Sequence, residues 1–253
     1  MVDTCAVIPV FEHGQTVGRV VDAVRNCGLH VVLVDDGSGA DCSRVLDAIA
    51  QDADDVRLLR HPLNRGKGAA VRTGLRYAAA LGYSHALQVD ADGQHALADI
   101  PRLLAESRSL PDAVVCGRPI FGADAPRSRL VGRRLTNFWV SVNTWSTALP
   151  DAMCGFRVYP LATTVPLLDH ARLGNRMDFD IEILVRLHWL GVTLRWVPTT
   201  VCYPPGGASH FRLHLDNALI ARAHTLLFFG MLLRTPVLAA RKLRLARARF
   251  SVA

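Results

Sequence analysis

Two carboxylates, Asp90 and Asp92, stand one residue apart in the run Ser84-His-Ala-Leu-Gln-Val-Asp-Ala-Asp-Gly-Gln-His95. The apolar Ala86, Leu87 and Val89 ahead of them read as a buried strand, and Gly93 reads as the exit into a turn. Residues i and i+2 of a strand share a face, so the strand period aims both carboxylates at one point. Carboxylates that close repel each other unless a cation sits between them, and an all-oxygen set suits Mg²⁺ or Mn²⁺. Gln94 offers a third, neutral oxygen on the same side. A second acidic pair, Asp35-Asp36, ends the apolar run Val31-Val-Leu-Val34. Arg65, Lys67 and Arg72 crowd the start of a predicted helix, where the dipole adds positive potential and favours an anion such as a nucleotide phosphate.

The elements that must position these groups alternate. Ala6–Phe11 reads as a short buried strand, with Pro9 near its end where a missing N–H costs little. Val17, Val20, Val21 and Val24 recur at helical spacing over Thr16–Cys27, and Gly28 stops that helix. Strand Val31–Val34, helix Ser43–Ile49 and strand Val56–Leu59 follow, then the turn Asn64-Arg-Gly-Lys-Gly68 and a helix through Ala80. This alternation predicts a mostly parallel sheet flanked by helices, with a crevice at the carboxyl ends of its strands. Both acidic clusters fall at that edge. No Gly-x-Gly-x-x-Gly follows the first strand, and Gly66-Lys67 lacks the spacing and the Ser/Thr of a P-loop, so those two nucleotide sites are unsupported.

Five segments, taken in order, carry a resemblance: Pro9-Val-Phe11, Val34-Asp-Asp-Gly-Ser38, Asn64-Arg-Gly-Lys-Gly68, Asp90-Ala-Asp-Gly-Gln-His95 and Cys154-Gly-Phe-Arg157. Together they resemble the family 2 glycosyltransferases, especially the dolichol-phosphate mannose synthase-like branch, over roughly Thr4 to Phe211. The resemblance implies a GT-A (Rossmann-like) α/β fold, a nucleotide-diphosphate sugar donor and a divalent cation, Mg²⁺ or Mn²⁺, held by Asp90, Asp92 and Gln94. It puts Asp35, Asp36, Pro9 and Phe11 by the nucleobase, with Glu12 next to them. It assigns Arg65, Lys67, Arg118, Arg134, His210 and Arg212 to donor or acceptor phosphates, a task that suits a permanently charged, bidentate guanidinium. Arg157 is expected at the phosphates or the sugar, and Asp180 is the candidate general base or sugar-positioning group, with Glu182 second. Asp180, Asp92 and Arg157 are therefore the candidate catalytic residues. The chain departs from the family where Phe11-Glu12-His13 replaces the usual Tyr-Asn-Glu, and where His210 replaces a lysine or arginine of the Gly-Gly-x-Ser loop. The processive Gln-x-x-Arg-Trp signature is absent, which favours transfer of a single sugar.

The remaining elements are strand Ala113–Cys116, a helix from Pro126 to Trp145 rich in arginine, helix Asp178–Leu190 and strand Val192–Val197. At 253 residues and 50% hydrophobic, the chain can bury a large core. Six scattered cysteines, with no metal spacing, fit neither a zinc site nor a disulfide framework and point to a reducing compartment. No signal peptide is legible at the N-terminus. The net charge of +7 lies at one end: from Asn217 onward there are Arg222, Arg234, Arg241, Lys242, Arg244, Arg247 and Arg249, and no acid.

That segment also carries an apolar run from His224 to Arg234, broken by Arg234 and Pro236 and shorter than the ~20 residues of a spanning helix. The expectation is a domain at 1–212 and a basic amphipathic helical segment at 213–253 lying on an anionic membrane surface; a helix packed on the domain is the alternative. Nucleic acid is not expected as a partner, since aromatics spaced for base stacking are few. The combined expectation is an inverting, metal-dependent hexosyltransferase. It would act on a lipid-linked acceptor such as polyprenyl phosphate, peripherally on the inner face of the cell membrane. A hydroxyl acceptor and a sugar nucleotidyltransferase are the alternatives; the latter should carry a glycine-rich loop after the first strand, and Pro9-Val-Phe-Glu-His13 is not one.

Overall fold

The structure, a computed structural model, describes residues 2–122, 125–202 and 211–250, except the side chains of 244–250. In chain order the elements are β1 (Thr4–Val10), α1 (Gly14–Arg25), β2 (Val31–Asp35), α2 (Ala40–Gln51), β3 (Val56–Arg60), α3 (Lys67–Ala80) and β4 (His85–Gln88). Then come α4 (Ile100–Ser109), β5 (Val114–Phe121), α5 (Arg127–Thr144), β6 (Arg157–Pro160), α6 (Leu161–His170), α7 (Asp178–Leu190), β7 (Leu194–Val201) and α8 (Leu213–Phe250).

The seven strands form one sheet in the order β3-β2-β1-β4-β6-β5-β7. All pairings are parallel except those of β6, which runs against both β4 and β5. The reversal matters for function. Because β6 runs backwards, its amino end and the loop 151–156 ahead of it arrive at the sheet edge where β1, β2 and β4 end. Nothing in the sequence marks β6 out: it is four residues long, fully buried, and starts with an arginine. Arg157 is tolerated inside because its guanidinium donates to Tyr159 Oη, Asp180 O and Ala152 O at 2.8–3.1 Å.

Both sheet faces are covered. Val17, Val20, Val21, Val24 and Leu46 of α1 and α2, with Leu103 of α4, pack on one face, and α3, α5, α6, α7 and α8 cover the other. The valine stripe of α1 is the one read from its spacing.

The C-terminal segment is helical as expected, but its apolar stretch runs further than the one read from the sequence. It is one uninterrupted helix of 38 residues, about 57 Å long at ~1.5 Å per residue. Its stretch Leu213–Leu243 is long and apolar enough to cross a membrane by length and composition. Pro236 does not break it. Ile220, Leu227, Met231 and Leu238 are buried, so packing holds the helix through the proline. The tail cations are partly used at home. Arg234 lies 4.6 Å over the Trp189 ring, Lys242 lies 5.7 Å over Trp145, and Arg241 donates to His188 O and Trp189 O at the carboxyl end of α7.

Candidate active site

A cavity of about 740 Å³ opens at the carboxyl edge of the sheet. Its floor is organised by Lys67, the first residue of α3. The Lys67 ammonium lies 2.8 Å from Asp90 Oδ2 and 2.9 Å from Asp180 Oδ2, and Asp180 Oδ1 accepts from Gln88 Nε2 at 3.3 Å. Two glycines make this possible. Gly66 has φ +101°, and a Cβ there would meet Asn175 O at 2.4 Å. A Cβ on Gly155, in the loop before β6, would sit 2.6 Å from the Lys67 ammonium and 3.0 Å from Asp90 Oδ1. Burial by itself pushes the Lys67 pKa down, but Asp180 and Asp90 more than offset it, leaving the ammonium held above its ordinary range. Burial likewise pushes Asp90 up, but Lys67 and His95 hold its carboxyl well below the usual carboxylate range.

This arrangement corrects two expectations. Strand β4 stops at Gln88, so Asp90 and Asp92 are not on its alternating face; Asp92 sits in a turn, and its Oδ1 accepts the Gln94 N–H at 3.0 Å. Both still line the cavity, with Gln94 and His95. The protein cation that neutralises Asp90 is Lys67, which it shares with Asp180 rather than Asp92.

Pro9, Val10, Phe11, His13 and Asp36 line the end of the cavity next to β1 and β2. Asp36 is buried and well supplied: Oδ1 lies 2.6 Å from His61 Nδ1 and accepts Arg65 N–H at 3.0 Å, while Oδ2 accepts Gly66 N–H at 2.7 Å. It therefore shapes the turn that presents Lys67. Asp35 is turned into the fold, where it accepts from Ser38 N–H, Ser43 Oγ and Arg60 Nε and does not line the cavity. Glu12, in a left-handed conformation (φ 57°), accepts Gly39 N–H at 2.6 Å and braces the loop after β2 instead of facing the cavity. The Arg65 side chain is exposed and outside the cavity, and Arg72 reaches Leu173 O and Asn175 Oδ1.

The basic wall is also rearranged. Arg129 and Arg133 of α5, Arg176 before α7 and Arg212 before α8 line the cavity, whereas Arg118 and Arg134 are exposed outside it. Arg133 reaches both oxygens of buried Asp151 at 2.5–2.6 Å, and Asp151 Oδ1 in turn accepts the Met153 and Cys154 N–H groups. Arg157, expected at the phosphates or sugar, is 1% exposed and spent on the carbonyls and the phenol that frame the cavity from beneath. Glu182 is buried beside Arg186, away from the cavity. His210 and the Gly-Gly-x-Ser loop lie outside the described residues.

Residues 5–161 match the family model described as glycosyl transferase family 2. The chain belongs to glycosyl transferase family 2. It is 29% identical over 206 residues to the undecaprenyl-phosphate mannosyltransferase of Micrococcus luteus, a match covering 77% of this chain and 81% of that one. It is 28% identical over 162 residues to the polyprenol monophosphomannose synthase of Mycolicibacterium smegmatis, covering 62% of this chain and 61% of that one. Such relatives place it in the dolichol-phosphate mannose synthase-like branch. Among solved structures, the glucosyl-3-phosphoglycerate synthase of Mycobacterium tuberculosis, crystallised with Mn²⁺, UDP and phosphoglyceric acid, aligns with a TM-score of 0.64. That alignment covers 90% of this chain and 78% of the other at 17% identity, a likeness of fold.

The oxygen set of this glycosyltransferase fits a divalent cation. Asp90 Oδ1 is buried with no hydrogen-bond partner among the described residues, and Asp92 and Gln94 line the cavity beside it. Among the described residues no three His, Cys, Asp or Glu side chains form a ready-made metal cluster. Mg²⁺-type sites take one or two carboxylates and complete their shell with water and phosphate oxygens, so Asp90, Asp92 and Gln94 are a sufficient oxygen set.

Several site residues escape a linear reading. His61 and Gln88 are ordinary polar residues in sequence and become significant only through their partners. Arg133 and Arg134 are adjacent, and the helix's rotation alone decides which faces the cavity.

Proposed function

We propose that this transferase moves one hexose from a nucleotide-diphosphate sugar to polyprenyl phosphate, with inversion at the anomeric carbon, at the cytoplasmic face of a membrane. The observation that carries the reading is the make-up of the cavity. Asp90 and Asp92 line it together with Arg129, Arg133, Arg176 and Arg212. The relatives named for undecaprenyl-phosphate and polyprenol chemistry support the lipid phosphate as acceptor.

In this reading an acceptor-phosphate oxygen forms a bond to the anomeric carbon from the face opposite the diphosphate. The bond from that carbon to the diphosphate oxygen breaks, and its electron pair leaves with the nucleoside diphosphate. Arg129, Arg133, Arg176 and Arg212 stabilise the phosphate charge from fixed positions, the kind of electrostatic contribution that usually dominates such transfers. Asp90, Asp92 and Gln94 are the residues that would hold Mg²⁺ or Mn²⁺, which when bound supplies further positive charge against the diphosphate. A phosphate acceptor is already an anion and needs no base. Asp180 fits that scheme, because its oxygens are taken up by Lys67 and Gln88. It serves as the counter-ion that steadies Lys67.

The membrane part of the reading is supported by exposed apolar side chains on two packed helices. Val131, Leu135 and Phe138 of α5 and Leu226, Phe229 and Leu233 of α8 are all exposed, and α8 carries the basic end.

A thermal-shift panel of nucleotides with and without Mn²⁺ tests the donor. A ligand at about 100 times its Kd adds ~2.7 kcal/mol, several degrees for a chain of this size. The expected result is a rise with one nucleoside diphosphate and its sugar, larger with Mn²⁺. A flat panel rejects the reading. Transfer to a short-chain polyprenyl phosphate, compared with the corresponding alcohol, then tests the acceptor.

A further inference from the structure

Between Glu182 and the end of the chain there is a single acidic residue, Asp216. It lies in the first turn of α8 and is completely buried. A carboxylate so placed must be paired, and it is: Oδ1 accepts from Arg176 Nε at 2.9 Å and Oδ2 from the Arg212 N–H at 2.7 Å. Arg176 belongs to a different part of the fold, the turn ahead of α7. Its own N–H donates to Asp178 Oδ1 at 3.0 Å, and its Nη1 reaches Asn64 Oδ1, in the turn that opens α3, at 3.4 Å. The guanidinium lines the cavity, and its Nη2 has no hydrogen-bond partner among the described residues. The close approach is built into the backbone: a Cβ on Gly66 would lie 2.7 Å from Arg176 Cγ.

We propose that Arg176 is a phosphate-binding residue of this cavity and that Asp216 is its positioning residue, so that the site is complete only when α8 is docked. The inference rests on the nucleotide-sugar reading above. A guanidinium is a planar fork of five N–H groups; a carboxylate on one edge sets the direction of the other, which can then meet phosphate oxygens as a pair. Holding that long side chain in place beforehand removes rotamer entropy otherwise lost on binding. Asp216 is well suited to this because water does not compete for it. Arg176 and Asn64 belong to the sheet-bearing body, whereas Asp216 comes from the helix proposed to meet the membrane. Docking of that helix and assembly of the anion site are thereby one event.

The experiment is calorimetric binding of inorganic pyrophosphate, UDP and GDP to the full chain with Mn²⁺, and separately of a short-chain polyprenyl phosphate. The variants are Asp216→Asn, Arg176→Lys, Arg176→Gln and the double variant Arg176→Gln/Asp216→Asn. The double variant replaces both charges with neutral amides and leaves neither partner of the buried pair charged and alone, so it is expected to keep the fold. The expected result is a loss of about tenfold or more in pyrophosphate and nucleoside-diphosphate affinity for the double variant at a wild-type-like melting temperature. Asp216→Asn alone should raise the donor KM more than it lowers kcat, and Arg176→Lys should retain more affinity than Arg176→Gln. A loss confined to polyprenyl phosphate also supports the inference and makes the bound phosphate the acceptor's. Unchanged affinity for every phosphate in the folded double variant overturns it and leaves the pair a structural latch. A wild type that binds none of these ligands overturns the nucleotide-sugar reading, and this inference with it.

Discussion

The flank of the cavity made by β1, β2 and α3 and the flank made by α5 and α8 treat their side chains differently. On the first, charges are held by short internal bonds: Asp36 by His61 and two backbone N–H groups, Lys67 by Asp90 and Asp180. On the second, Arg133 is fixed by Asp151, and Asp216 of α8 reaches across to hold Arg176 in the turn ahead of α7, while α5 and α8 expose Leu135, Phe138, Phe229 and Leu233 to solvent. The contrast teaches that the first flank is preorganised for a polar ligand of defined shape. The second combines a few anchored cations with an apolar surface that tolerates a flexible chain. A nucleotide sugar suits the first and a lipid phosphate the second.

The sharpest way to break this comparison is at Lys67. Replacing it with Met leaves half-buried Asp90 and buried Asp180 without the cation they share, and about 3–5 kcal/mol of stability should be lost in urea unfolding. The pH dependence gives the sign. Asp90, whose pKa is depressed in the fold, contributes stability that is full above its unfolded value of about 3.9 and lost as pH falls toward the folded one. Lys67, whose pKa is raised, contributes stability that is full below about 10.4 and lost as pH rises through the folded one. The wild-type advantage over Lys67→Met should therefore be flat from about pH 5 to 9 and shrink below about 4. Asp90→Asn should lower transfer by about 100-fold or more, since it removes a fixed charge at the reacting centre.

A smaller effect separates two neighbours on the second flank. Arg133→Ala leaves buried Asp151 without its cation and should lower the melting temperature by several degrees, whereas Arg134→Ala, on the exposed side, should leave it within about a degree. A melting curve of each variant decides the matter.

His224 tests the α5–α8 contact. Burial pushes its pKa down to about 4, so it stays neutral in the fold while the unfolded chain takes up a proton near pH 6.5. Stability should fall as pH drops from about 6.5 to 4, and His224→Phe should flatten that slope. The smallest expected effect is at Leu233, which is 83% exposed. Leu233→Gln should change stability by no more than about 0.5 kcal/mol yet weaken binding to anionic vesicles, measured by flotation.

Much of the fold was legible because one-dimensional pattern and local physics agree in it. The valines of α1, the runs of β1 and β2, and the turn at Gly66 all declare themselves by spacing. The misreadings share a different cause. Arg157 sits beside a family motif, and its place beneath the floor depends on β6 running backwards. The apolar run of the tail reads as broken at Arg234 and Pro236 because local rules count a charge and a proline as interruptions. In the fold Arg234 finds the Trp189 ring, and burial of Met231 and Leu238 carries the helix past the proline.

What the sequence determined by itself is the inventory: an α/β alternation, two acidic clusters at the ends of apolar runs, and a cationic, apolar C-terminus. These follow from periodicity and residue type, which act over a few residues. What only the tertiary structure decided is pairing. Asp90 shares Lys67 with Asp180, Arg133 rather than Arg134 faces the cavity, and the chain's last acid holds Arg176 from forty residues away. Burial makes such pairs necessary, because a charge removed from water must find a partner, and which partner is near is settled by the packing of distant elements.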